Sequence, residues 1–350
     1  MTHPGLGDVE AAGRRISGIV RGTPLVPSPG LARRAGVPVR LKAEHLQETG
    51  SFKVRGAANA LLSLDPGRVA SGVVAVSSGN HGRAVAHVAR LLEIPATVCV
   101  SARVPRTKIE AMEALGAKVI VAGPDQDAAD AEARRLAAGG LAFIHPFDDP
   151  TVISGQGTVG MEIVEVFPEC EAIVVPLSGG GLAAGIAAAA KGRRPGVEVF
   201  GVSQDRGPAM HESLAAGRLV DVIEEDTLAD ALAGGLGAEN RHTFEMCRDL
   251  LSGTVLVSEA EIAAAMAFLQ MEHGWRVEGG GAVGVAALLA GLIMPSGPTA
   301  VVVSGGNVSD ETFRKAVEAG RDNGLGGKRL PPPKTRGVRE PYGFLGEGGG

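Results

Sequence analysis

The chain has 350 residues, 45% of them apolar and only 3% aromatic, with 52 glycines. That length favours two domains and supports a sizeable core. A net charge of −5 with no long basic run leaves no electrostatic footprint for nucleic acid, and no segment reads as a membrane span or as a basic helix for a membrane surface.

The first fifteen or so residues predict a short helix. Apolar, β-branched runs predict strands at 39–41, 73–76, 97–100, 118–121, 173–175, 197–202, 255–257 and 300–303. Each is short and apolar on both faces, as in a parallel sheet covered by helices. Between them lie helical runs. One opens at Lys53, one spans 83–92, and one spans 107–115 behind Pro105 and stops at Gly116, a good C-cap residue. Ser258 and Glu261 form a capping box for another, on which Ile262, Met266 and Leu269 share a face. This alternation predicts a doubly wound α/β architecture. From Asp322 onward the chain is rich in Gly and Pro without aliphatic periodicity, which predicts a disordered tail over 322–350. The cysteines Cys99, Cys170 and Cys247 are odd in number and far apart, with neither disulfide nor metal-ligand spacing, and the N-terminus lacks a signal-like apolar stretch. A reduced, cytoplasmic protein is the expectation.

Four segments can carry chemistry. Lys53 stands among Phe52, Val54 and Ala57 at the start of an Ala-rich helix. Burial there would lower its pKa toward the neutral amine that forms a Schiff base with an aldehyde; alone, such a lysine is more often a snorkelling surface residue, and the reading rests on the four segments together. The strand at 73–76 runs into Ser77-Ser78-Gly79-Asn80-His81-Gly82 and a helix. Such a turn gathers backbone N–H groups for an anion, and Asn80 can donate to a phenolate-type oxygen. The strand at 173–175 leads into Ser178-Gly179-Gly180-Gly181-Leu182, which can wrap a single phosphate at a helix N-terminus. It has no Lys-Ser/Thr ending of a nucleotide loop and no dinucleotide acidic partner. The strand at 300–303 ends in Ser304-Gly305-Gly306-Asn307, where Ser304 can meet a ring nitrogen. A hydroxyl does not force that nitrogen to stay protonated, which suits loss of a β-hydroxyl over transamination. Glu278 lies either near the same pocket or at a surface helix cap. His81 and His87 do not make a zinc pair, and Glu224-Glu225-Asp226 reads as a solvated loop.

Taken together, Ser51-Phe52-Lys53-Val54-Arg55-Gly56-Ala57, Ser77-Ser78-Gly79-Asn80-His81-Gly82, Gly155-Gln156-Gly157-Thr158, Ser178-Gly179-Gly180-Gly181-Leu182 and Ser304-Gly305-Gly306-Asn307 resemble the pyridoxal-phosphate enzymes of fold type II. The match is to the branch of threonine/serine dehydratases and serine racemases, in family order over about residues 15–319. Wording such as Asn80-His81-Gly82-Arg83-Ala84-Val85-Ala86 also looks like dehydratases linked to hydroxyectoine utilisation.

The resemblance implies two domains, each a mostly parallel sheet flanked by helices. Residues 1–70 and 151–321 would form a large cofactor-binding domain, and 71–150 a small substrate-gating one. It implies pyridoxal 5′-phosphate held by Lys53 in a Schiff base, with Phe52 beside the ring and Asn80 at the phenolic oxygen. Gly179, Gly180, Gly181 and Leu182 would take the phosphate and Ser304 the pyridine nitrogen, while Ser77, Ser78, Asn80 and His81 would meet the carboxylate of a small amino-acid substrate. Ser78 would be either an acid/base opposite Lys53, giving a racemase, or a carboxylate or helix-start contact. A homodimeric ammonia-lyase acting on β-hydroxy-α-amino acids follows, with a serine-type racemase or a non-catalytic cofactor-binding regulator as alternatives. Ser203 stands where racemases place a glutamate that helps bind a divalent cation, so no metal is expected. Glu278-Gly279-Gly280 departs from the family's Glu-Pro-Ser/Thr and leaves the role of Glu278 open.

Overall fold

The computed structural model describes residues 2–77, 79–237 and 239–321. Among them ten strands form two sheets. The strands are β1 (Leu25–Pro27), β2 (Val39–Ala43), β3 (Val73–Val76), β4 (Ala96–Val100), β5 (Lys118–Val121), β6 (Ala142–Phe143), β7 (Ala172–Pro176), β8 (Glu198–Gln204), β9 (Gly253–Val257) and β10 (Thr299–Val303). The larger sheet runs β1-β2-β10-β7-β8-β9 and the smaller β5-β4-β3-β6. Every pairing is parallel except β1 on β2.

All eight expected strands are present; 73–76 and 118–121 have the expected bounds, and the others differ by a residue or two at one or both ends. The apolar character of the inner strands has its cause in the helices packed on the sheets, whereas the edge strands β5 and β9 are largely half-buried or exposed. Helix Gly279–Leu289 is buried along its whole length against β7, β8, β9 and β10. Helices Pro150–Val166 and Gly181–Arg193 pack on each other, with the latter against β7 and β8. Close approach requires small residues here: a Cβ on Gly185 would lie 2.3 Å from the Ile153 carbonyl oxygen, and one on Gly160 2.7 Å from that of Ile186. The smaller sheet, drawn wholly from residues 73–143, is covered by helices Asn80–Leu91 and Gln126–Ala138.

The Ser258 capping box forms as expected, with Ile262, Met266 and Leu269 buried. The helix expected from residue 83 begins earlier, at Asn80, because Gly79 adopts the non-helical backbone of an N-cap residue. Among the described residues no helix is long and apolar enough to cross a membrane, and all three cysteines are buried and free. Ser78 and the 322–350 tail lie outside the described residues.

Candidate active site

Parallel strands of both sheets end around one cavity of about 260 Å³, which is where open α/β sheets place their ligands. β3 delivers Ser77, Gly79, Asn80 and His81; β7 delivers Ser178 to Leu182; β10 delivers Ser304 and Asn307; and Phe52 with Lys53 closes the floor. The sequence therefore brings every expected site residue that is described to a single place.

Lys53 is the first residue of helix Lys53–Leu62. The loop before it is stitched to the end of β10: Ser51 bridges Gly305, the Phe52 N–H donates to the Ser304 carbonyl at 3.0 Å, and the Gly306 N–H to that of Gly50 at 2.9 Å. The helix itself is anchored from behind by Arg55, 1% exposed. Its guanidinium forks onto Glu44 (2.8 and 2.8 Å), reaches Glu162 (2.6 and 2.9 Å) and donates to Thr158. Lys42 adds a second cation at Glu162. Burial alone would raise the Glu44 pKa, but the charges of Arg55 and Lys42 hold it below the ordinary value. A buried fork of this kind fixes the direction of a helix.

The Lys53 amine lines the cavity, 5.3 Å from the Phe52 ring centroid, and donates to the Pro146 carbonyl at 2.7 Å. Burial pushes its pKa down from 10.5 to about 8, because a low-polarity wall disfavours the ammonium and offers it no carboxylate.

Opposite lies the glycine turn. Gly180 has φ +88°, a left-handed backbone, and a Cβ there would meet Met210, Cys247 and Thr243 at 2.7 to 3.0 Å. A Cβ on Gly179 would collide with the Phe147 ring at 2.4 Å, and one on Gly181 with the Phe147 carbonyl oxygen at 2.7 Å. The first N–H groups of helix Gly181–Arg193 have no partners within the helix and carry its positive dipole end. Such a cradle takes a phosphate group.

Ser304 is 4% exposed, and its hydroxyl makes only a long 3.5 Å contact with the Gly280 carbonyl, so it is available to a ring atom. Asn80 and His81 open helix Asn80–Leu91 and present unpaired backbone N–H groups. His81 Nε2 donates to the Ile144 carbonyl at 2.9 Å. Burial and then the Lys53 charge push its pKa down to about 3, so its imidazole is neutral and its backbone N–H is the donor it offers an anion. The Ser77 hydroxyl accepts from the Gly79 N–H at 3.0 Å.

Several participants escaped the sequence reading. Pro146 and Phe147 act through a backbone carbonyl and a ring, which leave no motif. Gln156 and Asn307 stood in quoted signatures without a role. Gln156 accepts from the Gly56 N–H and leaves its buried Nε2 without a partner. Lys108 and Asp230, 2.8 Å apart, join helix Arg106–Glu113 to the loop at Asp230–Leu232 across the cavity. Glu278 lies in the pocket and not at a surface cap: it is 3% exposed, and its side chain makes no cap bond to its own helix. Burial and the neighbouring Asp230 charge raise its pKa to about 7. Ser203 donates to Gln204 Oε1.

One buried amine, a glycine cradle for a phosphate, a free hydroxyl and an unpaired amide donor fit pyridoxal phosphate in size and chemistry. The comparisons agree. Residues 16–305 match the family of pyridoxal-phosphate dependent enzymes. A provisionally named threonine dehydratase of Sinorhizobium fredii is 47% identical over 91% of this chain and 96% of its own length. The L-threonine ammonia-lyase of Geobacter sulfurreducens is 41% identical over 89% and 78%. Maize serine racemase superposes with a TM-score of 0.85 at 32% identity, over 91% of this chain and 98% of its own. The chain belongs to the pyridoxal-phosphate dependent enzymes, in their threonine dehydratase and serine racemase branch.

Proposed function

We propose that this pyridoxal-phosphate dependent lyase is an ammonia-lyase that removes water from a β-hydroxy-α-amino acid, leaving a keto acid and ammonia. The observation that carries the reading is the Lys53 amine, depressed to about 8 by burial and set in the same cavity as the triple-glycine cradle. Bound pyridoxal phosphate supplies an electron sink that weakens the Cα–H and Cβ–O bonds of an attached amino acid.

The protein does the rest by positioning. Gly179, Gly180, Gly181 and Leu182 would bind the phosphate, Phe52 would flank the ring, Ser304 would meet the pyridine nitrogen and Asn80 the phenolic oxygen. Ser77, Ser78, Asn80 and His81 hold the substrate carboxylate, which sets the Cα–H bond across the ring plane. Lys53 Nζ would hold the cofactor through its aldehyde carbon. The free Lys53 amine would accept the Cα proton, with the Pro146 carbonyl, bonded to Nζ at 2.7 Å, orienting it. The β-hydroxyl would leave as water on receiving the proton that Lys53 took from Cα, and the released enamine would add water to give the keto acid and ammonia.

Racemisation of a serine-type amino acid is the second reading, favoured by the likeness to maize serine racemase; it would use Ser78 opposite Lys53. We further read residues 1–70 and 151–321 as the cofactor-binding domain, 71–150 as a gate, and the assembly as a cytoplasmic homodimer. The narrowest reading places the substrate among the hydroxylated diamino acids of hydroxyectoine utilisation. Hydride trapping followed by mass spectrometry should find the pyridoxyl adduct on Lys53. Release of keto acid and ammonia from L-threonine, L-serine and hydroxylated diamino acids, measured beside formation of D forms, separates the readings. An adduct elsewhere, or no turnover of any β-hydroxy amino acid, would defeat the proposal.

A further inference from the structure

A carboxamide has two ends of nearly equal shape, and which end faces a ligand decides whether it donates or accepts. At Asn80 the choice is made by its neighbours. Asn307 Nδ2 donates to the Thr49 carbonyl at 2.8 Å and to Asn80 Oδ1 at 2.6 Å. A backbone carbonyl can only accept, so the Thr49 contact fixes which end of Asn307 is the amino end. The Asn80 atom facing that end must then be oxygen. On the other side Asn80 Nδ2 donates to Glu278 Oε1 at 2.7 Å, and the Asn307 backbone N–H bonds the same carboxylate. Asn80 is left with one unassigned Nδ2 hydrogen, at the wall of the cavity.

We propose that Glu278 and Asn307 are positioning residues, a two-sided clamp that fixes the Asn80 carboxamide so that its remaining hydrogen meets the phenolic oxygen of pyridoxal phosphate. The inference rests on the cofactor placement proposed above.

The clamp explains two features of the local sequence. Gly305 must lack a Cβ, because one would lie 2.1 Å from Glu278 Oε1 and 3.3 Å from Asn80 Nδ2. Glu278 must be an acceptor held indoors; burial raises its pKa to about 7, yet a carboxyl oxygen accepts in either protonation state. Without both neighbours the amide can turn, and its oxygen would then oppose the phenolic oxygen, acceptor against acceptor.

The test is titration of the apoprotein with pyridoxal phosphate, reading the dissociation constant and the absorption maximum, with hydride trapping at Lys53 in each variant. Glu278→Ala and Asn307→Ala should weaken cofactor binding about tenfold and move the absorption maximum. Glu278→Gln keeps an acceptor without the charge and should bind within about twofold of the parent. Should Glu278→Ala fail to fold, Asn307→Ala and Asn307→Ser carry the measurement. Alanine variants with the parent's affinity and spectrum would overturn the clamp, as would a glutamine variant as impaired as alanine. A parent protein that yields no Lys53 adduct would overturn the cofactor placement itself, which separates the two failures.

Discussion

The reactivity of Lys53 should titrate far below that of an ordinary lysine. Its amine has a carbonyl partner but no carboxylate, and burial lowers its pKa from 10.5 to about 8. At pH 7 about one molecule in eleven then carries the free amine, against roughly one in three thousand for an unshifted lysine. Capture of an aldehyde should be faster by the same factor, about 300-fold. The assay is stopped-flow mixing of apoprotein with pyridoxal phosphate from pH 6 to 10, following the growth of yellow colour. The rate should rise tenfold per pH unit at first and level near pH 8. The same shift has a stability consequence. The unfolded chain binds the lysine proton up to about pH 10.5 and the folded one only to about 8. Stability therefore rises with pH across that window, and below it the folded apoprotein carries a penalty of roughly 3 kcal/mol. Lys53→Met should consequently melt higher than the parent apoprotein at pH 7, and the difference should shrink by pH 10. A capture rate still climbing beyond pH 9.5, or a Met variant less stable than the parent at pH 7, would refute the burial argument.

Three further outcomes follow from other contacts. Arg55→Met leaves Glu44, fully buried, without its fork partner; urea unfolding should show a loss of about 3–5 kcal/mol. Gly180→Ala must adopt φ near +88° and crowd Met210, Cys247 and Thr243; it should cost about 1–3 kcal/mol in the same assay and weaken pyridoxal-phosphate binding measurably. Asp230→Asn removes a charge that raises the Glu278 pKa. The folded protein keeps the Glu278 proton up to about pH 7, while the unfolded chain loses it near 4.5, so apoprotein stability falls with pH between those values. In the Asn variant the upper end of that fall should move to lower pH, whereas the broken pair with the half-buried Lys108, in which Asp230 is exposed, should cost under about 1 kcal/mol at pH 8.

What the sequence disclosed and what it concealed divide along a physical line. The eight strands found at that level are mostly apolar, β-branched runs, several of them bounded by glycine, proline or a small polar residue. The two missed are Leu25–Pro27, a three-residue antiparallel edge ending in proline, and Ala142–Phe143, only two residues long. Both are strands because a neighbour offers a free edge, a condition set elsewhere in the chain. The site divides in the same way. Lys53, the glycine turn and Ser304 each stand at the end of an element with a local pattern, so their convergence follows from parallel strands ending on one side. Pro146 contributes a carbonyl that any residue would supply, and nothing in its neighbours marks it as the partner of an amine 93 residues away.

Glu278 is the instructive case between these extremes. Its position before a run of small residues fits a helix start, and it does stand at the N-cap of Gly279–Leu289. A carboxylate at such a place ordinarily stays in water and bonds its own helix. Here the space left by Gly305 admits it, the Asn80 amide and the Asn307 backbone N–H hold it, and burial, with Asp230 second, drives its pKa upward. These residues come from three separate stretches of the chain: Gly305 and Asn307 from the loop after β10, Asn80 from the turn after β3, and Asp230 from the 3-10 turn Asp230–Leu232. A buried acid at an active site is thus a property of the junctions meeting, and the partners that give it a role are as much part of its chemistry as the carboxyl group.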